Sequence, residues 1–155
     1  MNPIDYQPRD FLWSQRDPRW SGKKLGTSGL TVGNYGCASV AANYAVNRAW
    51  QALGINRFAR PGEFVDYCNT HKFYTSGGLL SWNSVNHFSA GKLIYHTKKE
   101  GSYITLAQVR WGSYLHWIVL LNGDLCLDPW DGQIKKRVQS KWFPTGVQRY
   151  FKLVR

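Results

Sequence analysis

Three side chains in this sequence have the chemistry for covalent acyl transfer: the thiol of Cys37, the imidazole of His116 and the carboxylate of Asp128. Cys37 follows a glycine in the stretch VGNYGCASVAANYAVNRAW, Val32 to Trp50. The small and apolar positions Cys37, Val40, Ala41, Tyr44, Ala45 and Leu53 recur near helical spacing, and Gly54 suits a C-terminal cap. A helix is therefore predicted over Cys37 to Leu53, with the cysteine at its start. Unpaired N–H groups and the helix dipole at that end favour a thiolate, and Gly36 leaves the approach uncrowded. A free cysteine on a helix is more often a small buried core residue, so the rest of the chain has to decide.

His116 opens an apolar strand, HWIVLLNG, just after a turn. An imidazole at a sheet end can take a proton from a thiol or pair with a thiolate. Asp128 closes the next strand, LCLDP, and a hairpin brings the two strand ends together. A carboxylate there would fix the imidazole tautomer and stabilise the imidazolium; an Asp before Pro129 is also an ordinary turn residue. Asp131 in the turn WDGQ is an understudy. The backbone N–H of Cys37 is one natural oxyanion donor, and the side-chain amide of Gln15, in FLWSQRDPRW, is a candidate for the second. His71, His87 and His96 stand in polar or mixed contexts, and Cys68 and Cys126 read as packed thiols.

The elements that must position these groups come in two blocks. Residues 1–35 are rich in Pro and Gly and read as irregular. After the Cys37 helix, RPGEFVDYCNTH starts a second helix at or near Pro61, and GGLLSWNSVNHF is a shorter third. Then GKLIYHT, SYITLAQVRW, YLHWIVLLNG, LCLDP and RYFKLVR read as strands, with turn signals at GS (112–113) and NGD (122–124). Helices first and an antiparallel sheet second make an α+β layout, the helices packed on one side of the sheet. No linker or repeat divides the 155 residues, so one domain is expected, with an N-terminal arm over 1–12 and a core over 13–155.

Composition narrows the function classes. Apolar residues make up 43% of the chain, which is enough for a packed core. Eight Trp, nine Tyr and seven Phe exceed what a core of this size needs, so some rings should line a groove. Trp82 and Trp130, with Gly78 beside Trp82, are the groove candidates; Trp20 and Trp117 fit core packing better. Twenty Lys and Arg against nine Asp and Glu give a formal charge of +11. A field of that sign attracts polyanions, and Lys135, Lys136, Arg137, Lys141, Arg149, Lys152 and Arg155 follow the last acidic residue, Asp131. No cysteine or histidine spacing suits a metal, so no metal and no cofactor is expected. The start MNPIDYQPRDF lacks the marks of a signal peptide, and no apolar run reaches membrane-spanning length. Synthesis in the cytoplasm is expected, with release to a cell wall left open, and a monomer.

Four stretches, in order, carry a resemblance: SQRDPRW, NYGCASVAANY, HWIVLLNG and LCLDPWDG. Together they resemble the papain-like cysteine peptidases that process double-glycine bacteriocin leaders, and the stand-alone bacterial and phage relatives of that group. PGEFVDYCNTHKFYTSGGLLSWNSV is similar to the middle of the stand-alone relatives. The resemblance spans roughly Phe11 to Gly132. It implies a papain-like fold in which Cys37 is the nucleophile, His116 the general base and acid, Asp128 the orienting carboxylate and Gln15 the oxyanion donor. Two features depart from the group. ASVAAN stands where a Thr-Ser is common after the cysteine, and the glycine of the His strand is shifted by one. No transporter segment accompanies the domain, which argues against leader export.

The resemblance implies amide cleavage through a thioester but does not name the amide. The leading expectation is a lysin that cuts a peptide bond of bacterial peptidoglycan, with the basic C-terminal region holding an anionic wall polymer. The alternative is a protease or isopeptidase acting on a specific protein, with Gly77, Gly78 and Trp82 forming a narrow groove. A non-catalytic basic module binding the envelope or nucleic acid is the third class. Nucleic acid is the weaker partner, because no familiar binding motif is visible.

Overall fold

The structure is a computed structural model and describes residues 11–155. Residues 1–10 of the expected N-terminal arm lie outside the described residues. The described chain has helices α1 (Val32–Tyr35), α2 (Cys37–Ala52), α3 (Pro61–Thr70) and α4 (Asn83–Phe88). Strands β1 (Leu93–His96), β2 (Ile104–Trp111), β3 (Tyr114–Leu120), β4 (Leu125–Asp128), β5 (Gln133–Lys136) and β6 (Trp142–Leu153) follow. The strands make one antiparallel sheet in the order β1-β6-β2-β3-β4-β5. The architecture is α+β.

α2 is the central helix. Every residue from Ser39 to Trp50 is buried, so the helix is enclosed on all sides rather than along one stripe. Small residues allow this: Ala41, Ala42, Ala45 and Ala49 are all at or near zero exposure. Two buried asparagines of α2 bond the chain that follows it. Asn47 accepts the Ala59 N–H and donates to the Ala59 carbonyl, each at 2.8 Å, and Asn43 donates to the same carbonyl at 3.0 Å. The two asparagines clamp the extended segment that leads into α3. α3 begins with Pro61, whose fixed φ suits a first helical turn.

The sheet separates two apolar clusters by strand alternation. Leu106, Val119 and Leu127 lie in register and join Ala45, Tyr44 and Trp50 of α2 in the main core. The alternate residues Val109, Ile118 and Cys126 form a second cluster, against which Trp142 packs. His116 and Asp128 have the parity of this second set.

Most expected elements are found, with four differences. α1 is a helix inside the stretch expected to be irregular. The third helix is shorter than GGLLSWNSVNHF suggested and starts at Asn83, because Gly77 and Gly78 belong to a turn closed by a Tyr74–Leu80 bridge. β6 starts at Trp142, ahead of the RYFKLVR strand. Pro144 and Gly146 hide its first half, and the β2–β6 register shifts beside them. β5 was read only as part of a basic run.

Candidate active site

The chain reaches Cys37 through a helix–glycine–helix corner. α1 ends at Tyr35, Gly36 makes the turn, and Cys37 is the first residue of α2. The corner is too tight for any side chain at Gly36: a Cβ there would sit 2.6 Å from the Val32 carbonyl oxygen. The glycine thus serves close packing of α1 under the start of α2. Cys37 is nearly buried, at 7% exposure, and its N–H lies outside the helix's own ladder.

The sheet opens where this corner meets it. β3 and β4 pair only at Val119–Leu127 and Leu120–Cys126, with the Leu121 N–H donating to the Leu125 carbonyl just before. Alternation directs the Trp117 N–H to the same side of β3, beyond the end of that ladder. It donates instead to Cys37 Sγ, at 3.4 Å. The gap between β3 and β4 therefore receives the N-terminus of α2.

His116 and Asp128 flank that gap. Asp128 is diagonal to His116 across the β3–β4 register, and His116 Nε2 donates to Asp128 Oδ1 at 2.6 Å. The other ring nitrogen, Nδ1, is left for the thiol: Cys37 borders the same cavity as His116 and is near enough to raise its pKa. Both side chains are almost completely buried. Burial by itself would lower the His116 pKa, but its bond to Asp128 and the nearness of Cys37 outweigh that and push it up to about 9. Burial would raise Asp128, yet His116, Lys135 and the Trp130 N–H together hold its carboxyl down at about 2. The pair favours an imidazolium beside a carboxylate.

Gln15 is held by the loop that follows Asp128. Its N–H donates to the Pro129 carbonyl at 2.7 Å, and Ser14 Oγ donates to the Trp130 carbonyl at 2.6 Å. The Gln15 side chain is 1% exposed and borders the same cavity as Cys37. Its Nε2 donates one hydrogen to the Gly33 carbonyl at 3.2 Å, which fixes the amide and leaves the second N–H for another acceptor.

Cys37, His116 and Gln15 open on a cavity of about 620 Å³, a size that suits a small ligand or a few peptide residues. Its walls are Tyr35 at the end of α1, the β2–β3 hairpin from Trp111 to Leu115, and Trp130. The hairpin is a two-residue turn, Trp111 opposite Tyr114, and Gly112 supplies the positive φ, +59°, that such a turn needs. Tyr114 and Leu115 are 61% and 53% exposed, although apolar. Arg16 stacks its guanidinium on Trp130, 4.7 Å from the ring centre, and Trp111 meets that ring edge-on at 6.0 Å.

The structure thus brings together Cys37, His116, Asp128 and Gln15, with Trp130 on the cavity wall. Trp82 and Gly78 do not line this cavity. Trp82 packs edge-on against Trp117 and Phe151, at 5.1 and 5.9 Å. Gly78 sits against Ser28 and Leu30. Asp131 bonds Lys135 rather than His116. Three contributors were not picked out in the sequence: Tyr35, the hairpin tip WGSYL, and Lys135, which bonds the second oxygen of Asp128. The exposed apolar tip is a signal that could have been read. Lys135 was visible only as one charge among several.

The remaining thiols and imidazoles lie elsewhere. Burial pushes the Cys68 and Cys126 thiols up to about 12, which keeps them protonated. His71 and His87 pack tilted against Tyr67 and Phe73, respectively. Among the described residues no cluster suited to a metal occurs, and no helix is long and apolar enough to cross a membrane. The chain matches no protein-family model, no curated protein and no solved structure.

Proposed function

We propose that this chain is a papain-like cysteine hydrolase that cleaves a peptide bond of bacterial peptidoglycan through a thioester. The observation that carries the chemistry is the His116–Asp128 hydrogen bond set beside Cys37, with Cys37 and His116 lining one cavity. Cys37 Sγ would attack the amide carbon while Gln15 Nε2 and the Cys37 N–H receive the developing oxyanion. His116 would then pass its proton to the departing amine as the C–N bond breaks. Water enters, gives one proton back to His116, and splits the thioester into thiolate and a carboxylic acid, which loses its proton to solvent. Asp128 stays ionised throughout and holds the imidazole by Nε2.

The wall substrate is supported by charge and by the cavity lining. The +11 chain suits an anionic envelope. Of the basic run, Lys136, Lys141, Lys152 and Arg155 are exposed, whereas Lys135 and Arg137 are bonded within the fold. Tyr35, Tyr114 and Trp130 offer flat faces for sugar rings or peptide planes.

The test combines reactivity with substrate. Brief iodoacetamide treatment at pH 6, read by intact mass, should add one group to wild type and none to Cys37→Ala, and His116→Ala should slow it. Wild type should then release new amino groups from purified peptidoglycan, and Cys37→Ala should not. A Cys37 no faster than an ordinary thiol would sink the cysteine-hydrolase reading. An activated Cys37 with no amine release from any wall tested would sink the wall substrate and favour processing of a protein.

A further inference from the structure

The buried carboxylate of Asp128 has two cation partners, one on each oxygen. Oδ1 takes His116 Nε2 at 2.6 Å and the Trp130 N–H at 2.9 Å. Oδ2 takes Lys135 Nζ at 2.8 Å. Lys135 is on β5, where it pairs with Cys126 and so faces the same side as Asp128. Asp131 Oδ2 holds the ammonium from its other side at 2.7 Å, and the Trp142 ring lies 5.9 Å from it. The Trp142 ring also lies 6.3 Å from the His116 ring. The ammonium is thus fixed by two carboxylates and covered in part by an indole that it shares with the imidazole.

We propose that Lys135 is a positioning residue for the Cys37–His116 pair. It occupies half of the Asp128 carboxylate, which keeps that group from binding the imidazolium too tightly. The proposal rests on the cysteine-hydrolase reading for its purpose. His116 has to gain a proton from Cys37 and later lose it to a leaving amine. An imidazolium facing a whole, unshared carboxylate would gain readily and give up slowly. A second cation on Oδ2 divides the charge, while Oδ1 stays in place because the Trp130 N–H also holds it.

The groups facing His116 bear this out by type. α2 presents Cys37, β4 presents Asp128, β2 presents the apolar Val109 opposite it, and β6 presents the uncharged Trp142. Lys135 is the ion that bonds Asp128 from the next strand, so its charge reaches the imidazole through that carboxylate. At a spacing of roughly 6–7 Å and an effective dielectric of about 20 to 40, its removal should let the His116 titration rise by about one to two pH units.

The experiment follows the His116 ring signals by NMR from pH 5 to 11 in wild type, Lys135→Met and Lys135→Arg. Met keeps the length of the side chain without the charge, and Arg keeps the charge. The inference expects His116 to titrate about one to two pH units higher in Lys135→Met and within a few tenths of wild type in Lys135→Arg. It expects kcat on a chromogenic acyl substrate to fall with the alkaline limb displaced upward in Lys135→Met only. A His116 titration unchanged or lowered in folded Lys135→Met overturns it, as does an equal change in Lys135→Arg. These outcomes are read on the imidazole itself. They remain decisive if iodoacetamide shows Cys37 to be unreactive, and that result would count only against the hydrolase reading.

Discussion

Replacing Asp128 by Asn removes one charge and turns the oxygen that Lys135 bonds into an amide NH2, which cannot accept from it. The amide oxygen can still accept from His116 Nε2, and Lys135 keeps its bond to Asp131. What goes is the stabilisation of the imidazolium. His116 stands at about 9 against an ordinary 6.5, a rise it owes to Asp128 and Cys37 against the pull of burial. Losing the carboxylate charge should lower it by one to two pH units, which is about 1.4–3 kcal/mol. The thiolate–imidazolium pair should become roughly ten- to a hundredfold scarcer, and alkylation of Cys37 at pH 6 should slow by that factor. The assay is the pH dependence of iodoacetamide modification between pH 5 and 10. An Asp128→Asn rate within twofold of wild type at pH 6 would refute the reasoning, because Asp128 would then not govern the imidazole.

The same pair sets a stability window. Asp128 is lowered, so its contribution is present above about pH 4 and is lost as pH falls through about 2. His116 is raised, so its contribution is full below about 6.5 and is lost as pH rises through about 9. Both shifts express one interaction and are not summed. Wild type should lose melting temperature on both flanks, and Asp128→Asn should have a flatter profile between pH 7 and 10. Two substitutions separate other roles. Gln15→Ala should cut turnover about 10²–10³-fold while leaving Cys37 alkylation near wild type; equal losses in both assays would make Gln15 a packing residue. Gly36→Ala forces a methyl against the Val32 carbonyl, so it should destabilise by about 1–3 kcal/mol and lower Cys37 reactivity; an unchanged melting temperature would contradict the tight corner.

Sequence pattern located the candidate residues at element boundaries better than it located the walls around them. The cysteine at a helix start and the histidine and aspartate at neighbouring strand ends were legible because each sits at a boundary that turns and periodicity mark. Cys37 did open α2, and α2 ended within one residue of its expected end. The groove was less legible. Trp82 had the glycine neighbour of a loop residue, yet its ring is taken up by Trp117 and Phe151. Glycines report backbone freedom, not which way a nearby ring turns. Lys135 was hidden for a different reason: a charge run reads as a solvated face, and nothing in its spacing marks the one lysine that points inward.

One feature explains why the candidate site lies where it does. A β3–β4 ladder continued past Val119 would place another strand beside Trp117 and leave no room for Cys37. The pairing stops after two positions, and the chain leaves β4 at Asp128 through Pro129, which has no N–H to extend a ladder. The loop that departs there carries Trp130 to the cavity wall and bonds the backbone of Gln15. It then returns as β5 with Lys135 facing Asp128. A single break in strand pairing therefore admits the α2 N-terminus and sets the carboxylate, the candidate oxyanion donor and the second cation around it. Closing that break should be more damaging than altering any one cavity wall. Trp130→Ala should weaken substrate binding through KM while Cys37 alkylation at pH 6 is unchanged. Pro129→Val, which restores a ladder N–H, should slow alkylation itself. Equal alkylation in these two variants would show that the gap is not what holds the thiol in place.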